Sequence, residues 1–319
     1  MDIPPIHPQV EAVAADIASM DTRGAAGIAE AAANALLVQA EESEAEDPEA
    51  FRAQQRAAAR ALLDTRPTAV SLPNALRFVL TRMQGRTVSA LRESVMAAAK
   101  EFGDRVATAQ ADLGKIGANR LRDGDRVMTH CHSTDAIACI EAAVEQGKDL
   151  EAVVKETRPR EQGRITADRL DDLGVPVTFI VDGAAGRYLN EVDHVLVGAD
   201  SIAADGSVVN KIGTKLLAVG AREHGTPVMV AAQTVKLHPG TLTGHTVEIE
   251  ERDTAEVIDS ETLASLGDGI SVANPAFDVT PPRYVDAIVT ERGQYPPESV
   301  VTLMRDLFGE VPEEPWRER

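Results

Sequence analysis

Two cysteines stand in this chain, Cys131 and Cys139, and only the first has polar company. Cys131 lies in MTHCHST beside His130, His132 and Ser133, where a short strand candidate passes into a helix candidate. Backbone N–H groups and the dipole at a helix N-terminus favour an anion, so the position predicts a stabilised thiolate. Ser133 and Thr134 can cap that helix or bind a phosphate. Cys139 falls within the apolar run AIACI and reads as a buried small hydrophobe. The histidines invite a metal reading, but no clear third ligand stands nearby, so no metal is expected.

A second candidate is Asp200 in VGADSI, where a wholly apolar strand ends. It reads either as the cap of the following turn or as a carboxylate in a cleft, raised in pKa by desolvation. Downstream, AADGSVVNKIGT brings Asn210 and Lys211 to the start of a helix. Lys211 is then either a solvated surface residue or part of a small phosphate site. Two similar arginine turns, DTRGAAGIA and DTRPTAVSLPNAL, place Arg23 and Arg66 ahead of helices. A cation there opposes the helix dipole, which argues for an anionic partner such as phosphate. ETRPREQG adds Arg158 and Arg160 at another strand end.

These residues need elements to hold them. The first third carries helical periodicity throughout: PQVEAVAADIASM, an Ala-rich run after RGAAG, PEAFRAQQRAAARALL, LPNALRFVLTRM and the long VSALRESVMAAAKEFGDRVATAQADLGKIGANRL. This predicts about five helices, with no convincing strand before Gly124. From DGD onward, strand candidates (DRVMTHCHS, LEAVVKETRP, PVTFIVDG, DHVLVGADSI, TPVMVAAQTV) alternate with helix candidates. Such alternation with short connections predicts a parallel, doubly wound sheet whose function sits at the strands' carboxyl ends. The expected division is a helical domain over 1–118 and an α/β domain over 119–319. For 319 residues, at about 150 per domain, two domains are reasonable. Apolar residues make up 44% but aromatics only 3%, so Ala, Val, Leu and Ile must fill the core.

Composition removes several classes. There is no G-x-x-x-x-G-K-[ST], G-x-G-x-x-G after a strand, H-E-x-x-H or G-x-S-x-G, which leaves NTPase, dinucleotide-dehydrogenase and zincin readings without support. Two cysteines exclude a disulfide scaffold. The start, MDIPPIHPQVEAVAADI, has no basic n-region, and no stretch approaches the roughly 18 apolar residues of a membrane span. A soluble cytoplasmic protein is expected, without membrane partners. With 51 acidic against 32 basic residues, a net charge of -19 opposes nucleic-acid binding. Abundant Asp and Glu with Arg far exceeding Lys reads as adaptation to a salt-rich cytoplasm. At molar salt the Debye length is about 3 Å, so the surface would scarcely repel an anionic substrate.

Taken together, TRGA, TRPT…LPNALRF, THCHS, ETRPR, GADSI, ADGSVVNKIGT and NPAFDVTPPRYVDAIVTERG resemble, in order and over nearly the whole chain, the superfamily related to eukaryotic initiation factor 2B. That group holds regulatory subunits of the initiation factor, methylthioribose-1-phosphate isomerases and archaeal ribose-1,5-bisphosphate isomerases. The resemblance implies a helical domain followed by a Rossmann-like α/β domain. It also implies a catalytic Cys and Asp in the isomerases, generally lacking in the regulatory subunits. Those positions are Cys131 and Asp200 here, which favours an enzyme. The methylthioribose enzymes typically carry Asn-x-Gly after the cysteine. This chain has His132-Ser133-Thr134, nearer to the bisphosphate enzymes. Substrate contacts carried over are Arg23, Gly24, Ala25, Arg66, Ser133, Asn210 and Lys211.

The implied reaction turns α-D-ribose 1,5-bisphosphate into D-ribulose 1,5-bisphosphate, within an archaeal pathway that recovers nucleoside ribose, as in AMP, and supplies a carboxylase. The alternatives are methylthioribose 1-phosphate as substrate, or a non-catalytic regulatory subunit. A phosphate on C1 prevents simple opening to an aldehyde, so a proton must reach the ring oxygen while another moves from C2 to C1. One acid and one base suffice, and no metal or nicotinamide cofactor is required. Cys131 is expected as the thiolate base and Asp200 as the acid. Ordinary values near 8.5 and 3.9 leave roughly 3% thiolate and 0.1% carboxylic acid at pH 7, so opposite shifts are needed. The resemblance further implies a homo-oligomer built on dimers, up to a hexamer, with the TERG tail close to the interface.

Overall fold

The computed structural model describes residues 5–22, 24–66, 69–267, 269–309 and 314–317. The chain divides into two compact units, one of residues 1–109, 235–237 and 305–319, the other of 110–234 and 238–304. The helical unit thus takes in a short strip and the chain's tail as well as the N-terminal part. Its helices are α1 (Pro8–Ala18), α2 (Ala25–Glu41), α3 (Pro48–Leu63), α4 (Ser71–Thr81) and most of α5 (Val88–Ala118). The start of α3 shows how local chemistry sets a boundary: Asp47 accepts from the amides of Glu49 and Ala50, both at 2.9 Å, and Pro48 occupies the first helical position. Phe51, Leu36, Leu62, Leu72, Leu76 and Leu91 are fully buried among alanines, as a chain poor in aromatics requires. Asn74 fixes the 235–237 strip by donating to the carbonyls of Val235 and Leu237 at 2.9 and 2.7 Å.

In the α/β unit, β1 (Arg126–Thr129), α6 (Thr134–Glu145), β2 (Glu151–Lys155), α7 (Gly163–Asp172), β3 (Val177–Ile180), α8 (Ala185–Tyr188) and β4 (His194–Val197) follow in turn. Then come β5 (Ser201–Ala203), β6 (Val208–Lys211), α9 (Thr214–His224), β7 (Val228–Ala231), β8 (Leu237–His238) and α10 (Ser260–Ala264). The chain closes with β9 (Phe277–Thr280), β10 (Ala287–Thr290), β11 (Gly293–Tyr295) and α11 (Val300–Phe308). The main sheet has the order β11-β10-β7-β4-β1-β2-β3, parallel except for β11. β7, VMVA, is wholly apolar and buried, and β4 and β1 are buried beyond their half-buried first residues, His194 and Arg126, which is the pattern of a sheet covered on both faces. The fold is a mixed α/β one with a parallel sheet and a helical N-terminal region, as the periodicity predicts. No helix among the described residues is long and apolar enough to cross a membrane.

Two expected elements differ. DHVLVGADSI is not one strand: β4 stops at Val197, and after Gly198–Asp200 the chain enters β5, which pairs antiparallel with β6. The break falls where a Cβ on Gly198 would overlap the Ser133 side chain, so the strand end is pressed against the start of α6. Secondly, the segment before α9 holds a strand absent from the expected elements: Asn210 and Lys211 end β6, paired with Asp278 and Phe277 of β9. Alternation in SVVNK is weak because β6 is buried on both faces, which hides its period.

The closest backbone approach in the unit is at Gly163, where an added Cβ would overlap the Lys155 carbonyl oxygen. Gly163→Ala must push α7 away from the end of β2 and is expected to destabilise the protein by more than about 2 kcal/mol. Gly186→Ala, with nothing within 4 Å of the new Cβ, is the control and should be near neutral. Urea midpoints of the two variants decide the matter.

Candidate active site

The strand order places a topological switch at β1, since the chain builds β2 and β3 on one side before β4 returns to the other. Crevices outside the carboxyl ends of strands at such a point are where open α/β sheets bind ligands. Cys131 follows β1, and Asp200 follows β4. Both therefore stand at this crevice, within electrostatic reach of one another and of Lys211.

Cys131 is half-buried and adopts a left-handed backbone with φ 68°. Its amide donates to Thr157 Oγ1 at 2.8 Å, its carbonyl accepts from Thr166 Oγ1 at 2.9 Å, and its thiol donates to Gln162 Oε1 at 3.5 Å. Desolvation pushes the thiol up to about 11, and the Asp200 charge adds to this. The His132 amide and the Lys211 and Arg252 cations pull the other way but do not prevail. This corrects the expected stabilised thiolate. Cys131 precedes Ser133, which itself caps α6 by accepting from the Ala136 amide at 3.2 Å, so the helix terminus is already served. Asp200 also differs from expectation: it is exposed, not desolvated by an apolar strand end. Its amide donates to the Val209 carbonyl at 2.9 Å, anchoring the corner to the β5–β6 hairpin.

Lys211 is buried, with Nζ 4.9 Å from the Phe277 ring centroid, and so is not a solvated surface residue. Arg252 lies 5.4 Å from the same ring and is held by Glu250 at 2.8 Å. Burial first, then the Arg252 charge, lowers the Lys211 pKa, while Cys131 and Asp200 raise it. The helix terminus beside Lys211 is not open to a phosphate, because Asp278 accepts from the amides of Gly213 and Lys215 at 2.7 and 3.0 Å. Asn210 turns to Thr214 Oγ1 at 3.0 Å.

The remaining candidates separate. His130 is buried, donates through Nε2 to the Ile212 carbonyl at 2.8 Å, and is held neutral: burial and the Lys155 charge lower it to about 4. His132 Nδ1 pairs with Thr166 Oγ1 at 3.1 Å, so the two histidines serve separate partners. Among the described residues no cluster of three or more metal-ligating side chains is found. Cys139 is fully buried and burial drives it to about 12. Arg160 pairs with Glu256 at 3.0 Å through Nε, and Arg158 reaches the Val257 carbonyl at 3.2 Å. Gly24 (φ 80°) and Ala25 begin α2 and Arg66 follows α3, all in the helical unit. Arg23 lies outside the described residues. Sequence reasoning missed Gln162 and Arg252, which line one cleft with Lys211, Arg160 and Glu256. Gln162 could have been suspected from ETRPREQG, whereas Arg252 sits in an acidic, aperiodic stretch that carries no signal.

A parallel-sheet unit with a cysteine and an aspartate following adjacent strands at its switch point, in a chain that also has a helical unit, defines the class as a two-unit α/β protein. The chain matches the initiation factor 2 subunit family over residues 21–297 and belongs to it. A relative named ribose 1,5-bisphosphate isomerase from Haloferax volcanii is 71% identical, covering 98% of this chain and 97% of its own length. Another of that name from Thermococcus kodakarensis is 48% identical, covering 97% and 98%. Among solved structures, a Pyrococcus horikoshii translation initiation factor eIF-2B superposes with a TM-score of 0.78 at 31% identity, covering 93% of this chain and 100% of its own. The 5-methylthioribose 1-phosphate isomerase from the same organism gives 0.75 at 33%, covering 94% and 87%.

The protonated thiol has a direct consequence for reactivity. In the substrate-free protein only about one Cys131 in ten thousand is ionised at pH 7. Alkylation by iodoacetamide should therefore quicken about tenfold per pH unit from 7 to 10, with Cys139 unlabelled. Mass spectrometry of the two peptides reads this, and a rate that levels off below pH 8 would contradict it.

Proposed function

We propose that this chain is an aldose–ketose isomerase that converts α-D-ribose 1,5-bisphosphate to D-ribulose 1,5-bisphosphate. The observation that carries the reading is the convergence of Cys131, Asp200 and Lys211 on the crevice at the switch point. The names of relatives as close as 71% identical over nearly the whole chain support the substrate. The strand order around β1 supports a Rossmann-like, doubly wound description of the α/β unit.

In this reading Cys131 and Asp200 exchange protons with a substrate held by its phosphates. Thiolate Cys131 removes the C2 proton. The electrons form the C1=C2 bond and expel the ring oxygen from C1, and that oxygen takes its proton from the Asp200 carboxylic acid. The carboxylate then accepts the proton of the C2 hydroxyl as the ketone forms, and the thiol returns its proton to C1. Both groups end as they began. The working pair holds the same single proton as a thiol beside a carboxylate, moved from sulfur to oxygen. Lys211 and Arg252 favour the thiolate, and substrate filling the cleft strips water from Asp200, which disfavours its charge. Substrate binding thus supplies the ionisation that the empty site opposes.

Phosphate binding is assigned to Arg23, Gly24, Ala25, Arg66, Ser133, Asn210 and Lys211, the residues that the family resemblance implies. The product would feed a carboxylase in recovery of nucleoside ribose, in the cytoplasm, and no cofactor enters the chemistry.

Cys131→Ser and Asp200→Asn should each cut kcat by about 10²–10⁴ with little change in KM, and the double variant should be scarcely worse than either. Cys139→Ser should affect stability only. Arg66→Ala should mainly raise KM, by roughly ten- to a hundredfold, the worth of a charged hydrogen bond. A panel of ribose 1,5-bisphosphate against methylthioribose 1-phosphate decides the substrate. Turnover of neither would leave a regulatory, initiation-factor-like protein.

Assembly into dimers, and from them a hexamer, accompanies this reading. Light scattering in molar KCl should give a mass above the monomer, falling at low salt as unscreened acidic surfaces repel. A monomer mass in molar KCl would remove the idea.

A further inference from the structure

The reactive cysteine is held in a conformation that its own side chain disfavours, and so is the residue that holds it. Cys131 has φ 68° and Thr157 has φ 65°. For a β-branched residue such a backbone is an outlier that surrounding structure must enforce. The two are joined by the bond from the Cys131 amide to Thr157 Oγ1 at 2.8 Å. Thr157 Oγ1 in turn lies 3.2 Å from His130 Nδ1, with the Lys155 carbonyl at 3.1 Å as the other acceptor for its hydrogen.

The direction of this chain of bonds is fixed at its far end. The Ile212 carbonyl can only accept, so the proton of His130 sits on Nε2, 2.8 Å away, and Nδ1 offers a lone pair. The Thr157 hydroxyl accepts from Cys131, and its one hydrogen is shared between the ring nitrogen at 3.2 Å and the Lys155 carbonyl at 3.1 Å. Gly213 makes room for this: it has φ +97°, and a Cβ there would stand 3.2 Å from His130 Nε2. The charged groups around His130 are Lys155 of β2, Asp182 after β3, with Oδ1 3.7 Å from Nδ1, and Lys211 of β6.

We infer that Thr157 and His130 are positioning residues for the reaction, a relay from the Ile212 carbonyl that sets the Cys131 backbone so that its sulfur faces the reacting carbons. The inference rests on the proposed role of Cys131 as base. Neither residue touches substrate in it, and both act through the Cys131 amide.

The test uses the intact protein in molar KCl. Thr157→Val keeps shape and branching but removes the hydroxyl, and Thr157→Ser keeps the oxygen. Thr157→Val should lower kcat on ribose 1,5-bisphosphate by about ten- to a hundredfold, the usual cost of a reacting group displaced by about 1 Å, with KM nearly unchanged. Thr157→Ser should stay within about threefold of the parent. His130→Gln retains a donor for Ile212 and loses the acceptor for Thr157. It should act in the same direction, and the double variant should be no worse than Thr157→Val alone. Iodoacetamide labelling of Cys131 at pH 9 gives a readout without substrate: it should be about tenfold faster in Thr157→Val and unchanged in Thr157→Ser, because a released loop exposes the thiol. If the parent turns over no sugar phosphate, the isomerase reading fails while labelling still tests the relay. Equal labelling in Thr157→Val and the parent, or a Thr157→Ser as impaired as Thr157→Val, overturns the inference. Should Thr157→Val not fold, His130→Gln carries the same two measurements.

Discussion

The site depends on one constraint of topology: β1 pairs with β2 on one edge and with β4 on the other, and the chain visits β2 and β3 before it returns. Parallel strands must leave from the same end, so the segments after β1 and β4 are forced to diverge over a shared crevice. Everything with chemistry in this unit is arranged around that divergence. Gly198 lets the end of β4 press against Ser133, the cap of α6, and the tight contact fixes how closely Asp200 can follow. A larger residue at 198 would force the two strand ends apart.

Within the crevice, burial and charge compete for the thiol. Lys211 and Arg252 stand close enough to lower it, yet desolvation outweighs them and the resting group is a thiol at about 11. The same desolvation lowers Lys211, while the neighbouring anions raise it. Lys211 and Arg252 share the Phe277 ring, with Glu250 paired to Arg252 and the Asp200 and Glu256 charges close by.

The net charge of -19 sets the working conditions rather than the chemistry. Buried cations are screened less than exposed carboxylates, so salt silences the acidic exterior while leaving Lys211 and Arg252 their pull on an anion. An acidic protein can in this way hold a doubly anionic sugar.

How much of this was legible in the residues varies with the range of the interaction. Helical periodicity marked the N-terminal helices, because amphipathic faces are local. The β-α alternation marked the parallel sheet, and polar neighbours separated Cys131 from Cys139, buried within α6 as AIACI predicts. The corner at Gly198–Asp200 was not legible, since an apolar strand continued by another apolar strand has no break in its pattern. Nor was the protonation of Cys131: the helix terminus visible in the sequence is a short-range effect, whereas burial and the charges of Asp200, Lys211 and Arg252 around the thiol come from the tertiary fold. Thr157, Gln162 and Arg252 meet Cys131 only through the sheet and its insertions, 26, 31 and 121 positions along the chain. Residue types and spacing singled out the candidate groups, and tertiary structure alone decided the protonation of Cys131, its backbone conformation and its neighbours, because those depend on groups remote in sequence.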